Sequence, residues 1–289
     1  MDKNILNEIA IKLSKPPKGI LAADESTNTI TKRFDDINVL SNFENRRKYR
    51  ELLFKTENLN SFISGVILYD ETIRQSTSEG IPFSEYLNQQ GIYPGIKVDT
   101  GAVKLTKESK EKITEGLDGL GKRLIEYKKM GAVFTKWRAI IDIEEDGTVP
   151  SDIAIDLNCS NLARYAKIVQ ENEMVPIVEP EVLMDGPHSI QKCFDVTSEV
   201  QKILFEKLQK NNVSLDGILL KPNMIISGKK SASQASVSEV AEMTLKCLKK
   251  SVPNEVPGIV FLSGGQSNEL ATSHLNEMNK LNTSLPWNL

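Results

Sequence analysis

The chain has 289 residues, 26% of them charged and 39% apolar, with a formal net charge of −3. That is ample for one large globular domain with its own core, and the mild acidity gives no reason to expect a nucleic-acid partner. No stretch reaches the roughly 18 apolar residues that a membrane span requires, and three scattered cysteines (Cys159, Cys193, Cys247) make neither a disulfide framework nor a zinc spacing.

At the N-terminus no basic region leads into an apolar block, so no signal peptide is read and a cytoplasmic location is expected. Ile5, Leu6, Ile9, Ala10 and Leu13 recur at helical spacing, and Lys15-Pro-Pro-Lys18 ends that helix. A unit then begins to repeat: a short apolar run, a polar tip and a long amphipathic helix. The runs are Gly19–Ala23, Gly65–Leu68, Gly95–Val98, Val133–Thr135, Val175–Val178, Gly217–Leu220 and Gly258–Leu262. Helices are expected at Gly119–Met130, Ile153–Glu171, Ser189–Asn211 and Val237–Lys250. The second of these should bury Leu157, Leu162, Ala166 and Val169 on one stripe.

Strands alternating with helices imply parallel pairing through right-handed crossovers. No linker is visible, so residues 1–289 are expected to form a single domain. Eight such units close a barrel, and the fold class expected is an α/β barrel of the TIM (β/α)8 type. Late tips are spaced by about 40 residues, so an eighth would fall beyond residue 289, and the eighth βα unit is expected to be missing. A doubly wound sheet is the competitor. It would usually carry a Gly-rich phosphate loop after its first strand, and Ala22-Ala-Asp-Glu-Ser26 is none.

In a parallel barrel, catalytic side chains stand at the C-terminal ends of several strands. Here those ends carry Asp24, then Lys97 and Asp99, Lys136 and Arg138, Glu179-Pro-Glu181, Lys221, and Ser263-Gly264-Gly265. Lys221 is the most informative of them. It closes the apolar run Gly217–Leu220, and Pro222 stops the strand at once. Desolvation there disfavours its ammonium, and a neutral amine can condense with a ketone. The alternative is a lysine whose stem packs on the core while its head reaches water. Lys97, Lys136, Arg138 and Lys221 read as a cationic cluster that would lower the Lys221 pKa further and attract an anionic substrate. Asp24, Glu179 and Glu181 supply carboxylates for proton transfer. A serine-glycine-glycine turn leading into a helix near Ser267 suits a phosphate. His188 and His274, the only histidines, are too few for a usual catalytic zinc site and read as structural or solvated, so no metal is expected.

Six segments in order then resemble one family, class I fructose-1,6-bisphosphate aldolase, the Schiff-base, metal-independent type. They are Gly19-Ile-Leu-Ala-Ala-Asp-Glu-Ser26, Gly95-Ile-Lys-Val-Asp99, Lys136-Trp-Arg138, Val175-Pro-Ile-Val-Glu-Pro-Glu181, Leu219-Leu-Lys-Pro-Asn-Met224 and Phe261-Leu-Ser-Gly-Gly-Gln-Ser267. The resemblance runs from about residue 18 to the C-terminus. It implies that Lys221 forms an iminium with the C2 ketone, that Asp24 handles the C4 hydroxyl proton, and that Glu179 dehydrates the carbinolamine. Lys136 would stabilise charge beside Glu179, and Glu181 would buffer the lysines. Ser263, Gly264 and Gly265 would hold the phosphate next to the ketone. Ser26, Thr29 and Lys97 would hold the far one, with Arg33 and Arg138 in the same cleft. Arg46 is a further candidate there, with a solvated helix arginine as the alternative. The implied partner is a small sugar phosphate in a cofactor-free homo-tetramer.

Thr29 stands where the family commonly has serine and keeps the hydroxyl. The larger departure is that Leu285-Pro-Trp-Asn-Leu289 ends the chain where the family continues into its eighth strand, a phosphate-gripping arginine and a tail tyrosine. A weakly active or non-catalytic truncated aldolase-like binding protein, a Schiff-base aldolase for another sugar phosphate and a pyridoxal enzyme are the readings that compete with the bisphosphate enzyme.

Overall fold

One stripe of the first helix, α1 (Lys3–Ser14), carries Leu6, Ala10 and Leu13, all buried against Ile67, Phe134, Val175, Ile177 and Leu219. Those partners lie on four different strands, so α1 closes the end of a sheet that curls around them. The computed structural model describes residues 3–281 and 284–289; the first two residues of the chain, where the signal-peptide reading begins, lie outside them.

After α1 come β1 (Gly19–Ala23), α2 (Thr27–Asp35), α3 (Phe43–Phe54), β2 (Ile63–Leu68), the short α4 (Asp70–Ile73), α5 (Phe83–Gln89) and β3 (Tyr93–Lys97). A hairpin, β4 (Gly101–Lys104) and β5 (Lys112–Glu115), precedes α6 (Leu120–Lys129). The second half is regular: β6 (Phe134–Ile141), α7 (Asp152–Glu171), β7 (Val175–Val182), α8 (Ile190–Lys210), β8 (Leu219–Leu220), α9 (Val237–Ser251) and α10 (Asn268–Leu281). Ser26, Ser151, Ser189 and Ser236 cap α2, α7, α8 and α9, each accepting the N–H three residues on. These caps satisfy donors that a helix start otherwise leaves open.

β1, β2, β3, β6, β7 and β8 pair in that order, all in parallel. Parallel bridges Leu220–Ile259 and Gly258–Asn288 carry the curl to a seventh and an eighth position. This is the barrel architecture expected from the alternation of strands and helices. Among the described residues β1 pairs only with β2. A cavity of about 600 Å³ runs along that seam, lined by Gly19, Ile20, Ile259, Phe261 and Leu289 among others.

Several elements differ from expectation for identifiable reasons. No hairpin is read from the sequence, because each of its strands is only four residues long and largely uncovered. Gly217 belongs to a 3-10 turn (Leu215–Gly217), and the paired part of the sixth strand is only Leu219–Leu220. Leu157 is 37% exposed, whereas Ile155, Cys159, Leu162, Ala166 and Val169 are buried. The core face of α7 follows their three-and-four spacing, which Leu157 does not fit.

Phe134 sets the packing at the base of the sheet. A Cβ added at Gly95 would lie 2.3 Å from two atoms of its buried ring, and one at Gly65 would lie 3.0 Å from it. Glycine at these two positions is what admits the ring. Gly95→Ala is therefore expected to lower stability by about 1–3 kcal/mol, the usual cost of overpacking. Urea unfolding should show a lower midpoint at unchanged slope; an unshifted midpoint would mean that the ring has room to move.

Candidate active site

Successive side chains of a strand point to opposite faces, and this alternation builds the site. Ile20, Ala22 and Asp24 from the β1 segment, Lys97 and Asp99 from the β3 segment, and Lys136, Arg138 and Ile140 from β6 line one cavity. Glu179, Glu181 and Leu183 from the β7 segment and Lys221 after β8 complete it. The β1, β3, β6 and β7 segments each contribute at i, i+2, while intervening residues such as Trp137 face the helices, where its ring lies 5.4 Å from that of Tyr165. The cavity has a volume of about 910 Å³. Register fixes which groups meet. Lys97 is level with Lys136, Arg138 with Glu179, and Ile140 with Glu181.

The charged groups form a chain across the lumen. Lys221 Nζ donates to Glu179 Oε1 at 2.6 Å, Glu179 Oε2 lies 3.5 Å from Lys136 Nζ, and Lys136 Nζ reaches Asp24 Oδ2 at 2.6 Å. Beside it, Arg138 pairs with Glu181, and Lys97 with Asp99. Asp99 also accepts the Arg138 N–H at 3.2 Å. The cluster read as cationic in the sequence is therefore matched carboxylate for cation: Asp24, Glu179 and Glu181 arrive from other strands, and Asp99 from two residues beyond Lys97.

Burial pushes the Asp24 carboxyl up, but Lys136, its hydrogen bond, Lys221 and Lys97 outweigh this and hold it below the usual range. For Glu179 burial again acts upward, and Lys221 and Lys136 bring the net shift down. Burial acts to lower the pKa of the Lys136 ammonium; Glu179, Asp24 and Asp99 outweigh it and raise that pKa above the ordinary value. All three groups are thus held ionised at neutral pH.

The two ends of the cavity differ from this buried middle. At one end Ser26 caps α2 and its Oγ lies 3.1 Å from Thr29 Oγ1. Arg33 reaches the same rim paired with Glu25, whose other oxygen is 2.8 Å from the buried Arg50. At the other end Gly264 and Gly265 have φ of +64° and +90°, which glycine adopts without strain. Ser263, Gly264 and Gly265 line the cavity there. Among the residues anticipated for the site, Arg46 is the exception. It forms a two-pronged pair with Glu71, both contacts at 2.7 Å, away from the lining. His188 and His274 are both buried, and neither reaches the cavity. Among the described residues no group of three or more His, Cys, Asp or Glu is placed to hold a metal ion.

Some lining residues escape a reading of the strand tips. Thr114 comes from the hairpin, Glu25 stands one residue past Asp24, and Asp185 follows β7 by three residues. The i, i+2 partner of Lys97, Asp99, was visible as a signal; the others were not.

The profile of the family described as glycolytic class I fructose-bisphosphate aldolase matches residues 5–289. The chain belongs to that family. A probable fructose-bisphosphate aldolase class 1 of Xanthomonas axonopodis is 54% identical over 284 residues, covering 98% of this chain and 84% of the relative. The cytosolic fructose-bisphosphate aldolase 6 of Arabidopsis thaliana is 51% identical over 280 residues, covering 97% and 77%. A solved Plasmodium falciparum fructose-bisphosphate aldolase superimposes with a TM-score of 0.96 at 48% identity, covering 98% of this chain and 82% of that one. The chain is accordingly a lyase of the glycolytic, Schiff-base kind with a TIM-barrel fold. No helix among the described residues is long and apolar enough to cross a membrane.

The pKa directions set a pH dependence. Carboxyls held low stabilise the fold at pH above their ordinary values of 3.8 and 4.5, and this is lost as pH falls through the lowered native values. The raised lysine contributes fully below its ordinary 10.5 and is lost only in strong alkali. Lys136→Met should cost about 3–5 kcal/mol at neutral pH, since it leaves the Asp24 carboxylate without its ion pair and Glu179 with Lys221 alone. Part of that loss should return on acidification to about pH 4, where protonation relieves them. Urea unfolding of both proteins across this range would show it, and an equal deficit at both pH values would contradict the network.

Proposed function

We propose that this chain cleaves fructose 1,6-bisphosphate reversibly into dihydroxyacetone phosphate and glyceraldehyde 3-phosphate with Lys221 as the nucleophile. The observation that carries the assignment is the 2.6 Å contact of Lys221 with Glu179, itself held between two lysines. Glu179 takes a proton from the Lys221 ammonium, and the freed amine adds to the C2 ketone. Glu179 then returns the proton to the carbinolamine hydroxyl, which leaves as water, and an iminium remains. As the C3–C4 bond breaks, its electron pair moves toward the iminium nitrogen while the Asp24 carboxylate takes the C4 hydroxyl proton. Glyceraldehyde 3-phosphate departs and an enamine stays on Lys221. Protonation at C3 and attack of water at C2 release dihydroxyacetone phosphate and restore the amine.

In this reading Lys136 keeps Asp24 and Glu179 ionised between turnovers, and Glu181 with Arg138 completes the charged wall. Hydroxyls and cations at one end (Ser26, Thr29, Lys97, Arg33) and the Ser263–Gly265 turn at the other suit two phosphates. That favours the bisphosphate over fructose 1-phosphate. Incubation with dihydroxyacetone phosphate and borohydride should place a reduced adduct on Lys221, and Lys221→Met should abolish it. Glu179→Gln should lower kcat by about 10²–10⁴, and a chelator should leave the rate unchanged. Adduct mapped to any other lysine would refute the assignment.

We also propose a homo-tetramer in the cytoplasm, the latter because the Arabidopsis relative is a cytosolic aldolase. Exposed Ile125, Ile153 and Leu157 offer apolar surface for assembly. Sedimentation should give about four chains' mass; a monomer at micromolar concentration would refute it, as would partition of the chain with membranes on fractionation.

A further inference from the structure

We propose that Lys229 is a further substrate-binding residue, a cation for the phosphate held at Ser263–Gly265; the proposal rests on the reading of that turn as a phosphate site. Lys229 lies outside the strand tips and outside the site anticipated from the sequence. Its place is set by the backbone. The Lys229 N–H donates to Met184 O at 2.7 Å, Gly228 N–H to His188 O at 2.8 Å, and Lys230 N–H to Gly186 O at 3.1 Å. These bonds strap residues 228–230 to residues 184–188. The two backbones run so close that a Cβ at Gly228 would lie 2.1 Å from Gly186 O.

From this strap the Lys229 side chain extends over the glycine turn. A Cβ added at Gly265 would meet Nζ at 2.7 Å, and Met184 Sδ lies 3.5 Å from the corresponding position at Gly264. The ammonium therefore stands directly beside the backbone of the turn. Its present partner is Asp185, at 3.0 Å, and Asp185 lines the same cavity.

Charge accounting points the same way. The buried lysines of the cavity are already matched by carboxylates within the lumen, and Arg33 serves the opposite end. A phosphate dianion on a serine hydroxyl and backbone N–H groups is best completed by a cation that can leave its partner. Lys229 can do so, because both it and Asp185 are well exposed (44% and 68%) and water can take over the carboxylate at small cost. Phosphate binding would then be a partner exchange: Lys229 turns from Asp185 to the phosphate, and Asp185 is left facing solvent.

This gives the two residues opposite effects, which a merely structural strap would not. The test uses the full chain. The half-saturating concentration for borohydride-trapped adduct on Lys221 is measured with dihydroxyacetone phosphate and with unphosphorylated dihydroxyacetone. Lys229→Met is expected to raise the first value about tenfold and leave the second unchanged, while Lys229→Arg stays near the parent. Asp185→Asn should lower the first value a few-fold, since it removes a competing anion. If Lys229→Met shifts both ligands alike, or neither, Lys229 does not bind the phosphate, although the adduct still supports Lys221. If the parent chain forms no adduct with either ligand, the aldolase reading and this proposal fall together.

Discussion

The placement of Lys136 between Asp24 and Glu179 is the constraint on which the rest of the site depends. An ammonium so far from water is tolerated only with negative charge on more than one side. The two acids come from the first and fifth parallel strands of the curled sheet, and Lys136 from the fourth. The Lys136–Asp24 pair therefore ties together strands that do not neighbour one another. Closure of the sheet and ionisation of the site are one requirement: if the curl opened, each charge would lose the partner that justifies its burial.

That arrangement also explains how a lysine and a carboxylate can both be available for chemistry in one crowded lumen. Glu179 shares its charge between Lys221 and Lys136 through different oxygens. A proton moved between Lys221 and Glu179 leaves the net charge of the lumen unchanged, while Lys136 remains as a fixed positive charge beside the pair. Low dielectric magnifies every such shift of charge. Electrostatic arrangement in place before the substrate arrives costs nothing at the moment of reaction.

Much of this was legible in the sequence because period-two alternation survives in the charged residues themselves. Lys97 and Asp99, Lys136 and Arg138, and Glu179 and Glu181 each stand two apart, so each pair faces one side of its strand. What could not be read was pairing between strands, since partners such as Lys136 and Asp24 are separated by more than a hundred residues. Reading cations alone gave a repulsive cluster, where register produces neutral pairs. The resemblance offers Arg46 as a ligand or a helix arginine, and its partner Glu71, at a helix start well along the chain, is not legible beside it. Leu157 is apolar but stands off the buried face of its helix, so hydrophobicity alone places it on a stripe that its angle does not.

The middle and the ends of the cavity obey different physics. In the middle, side chains rise from or just beyond paired strands; Lys136, Asp99, Glu179 and Glu181 are buried there, and the sheet fixes their partners. At the ends the groups lie on a helix cap and a glycine turn, and their cations, Arg33 and Lys229, are paired with carboxylates while remaining substantially exposed. A reacting carbon tolerates little displacement, whereas a phosphate must enter, be held and leave. Weak, solvent-screened pairs suit the second task because they exchange at small cost; deeply buried pairs suit the first because they do not.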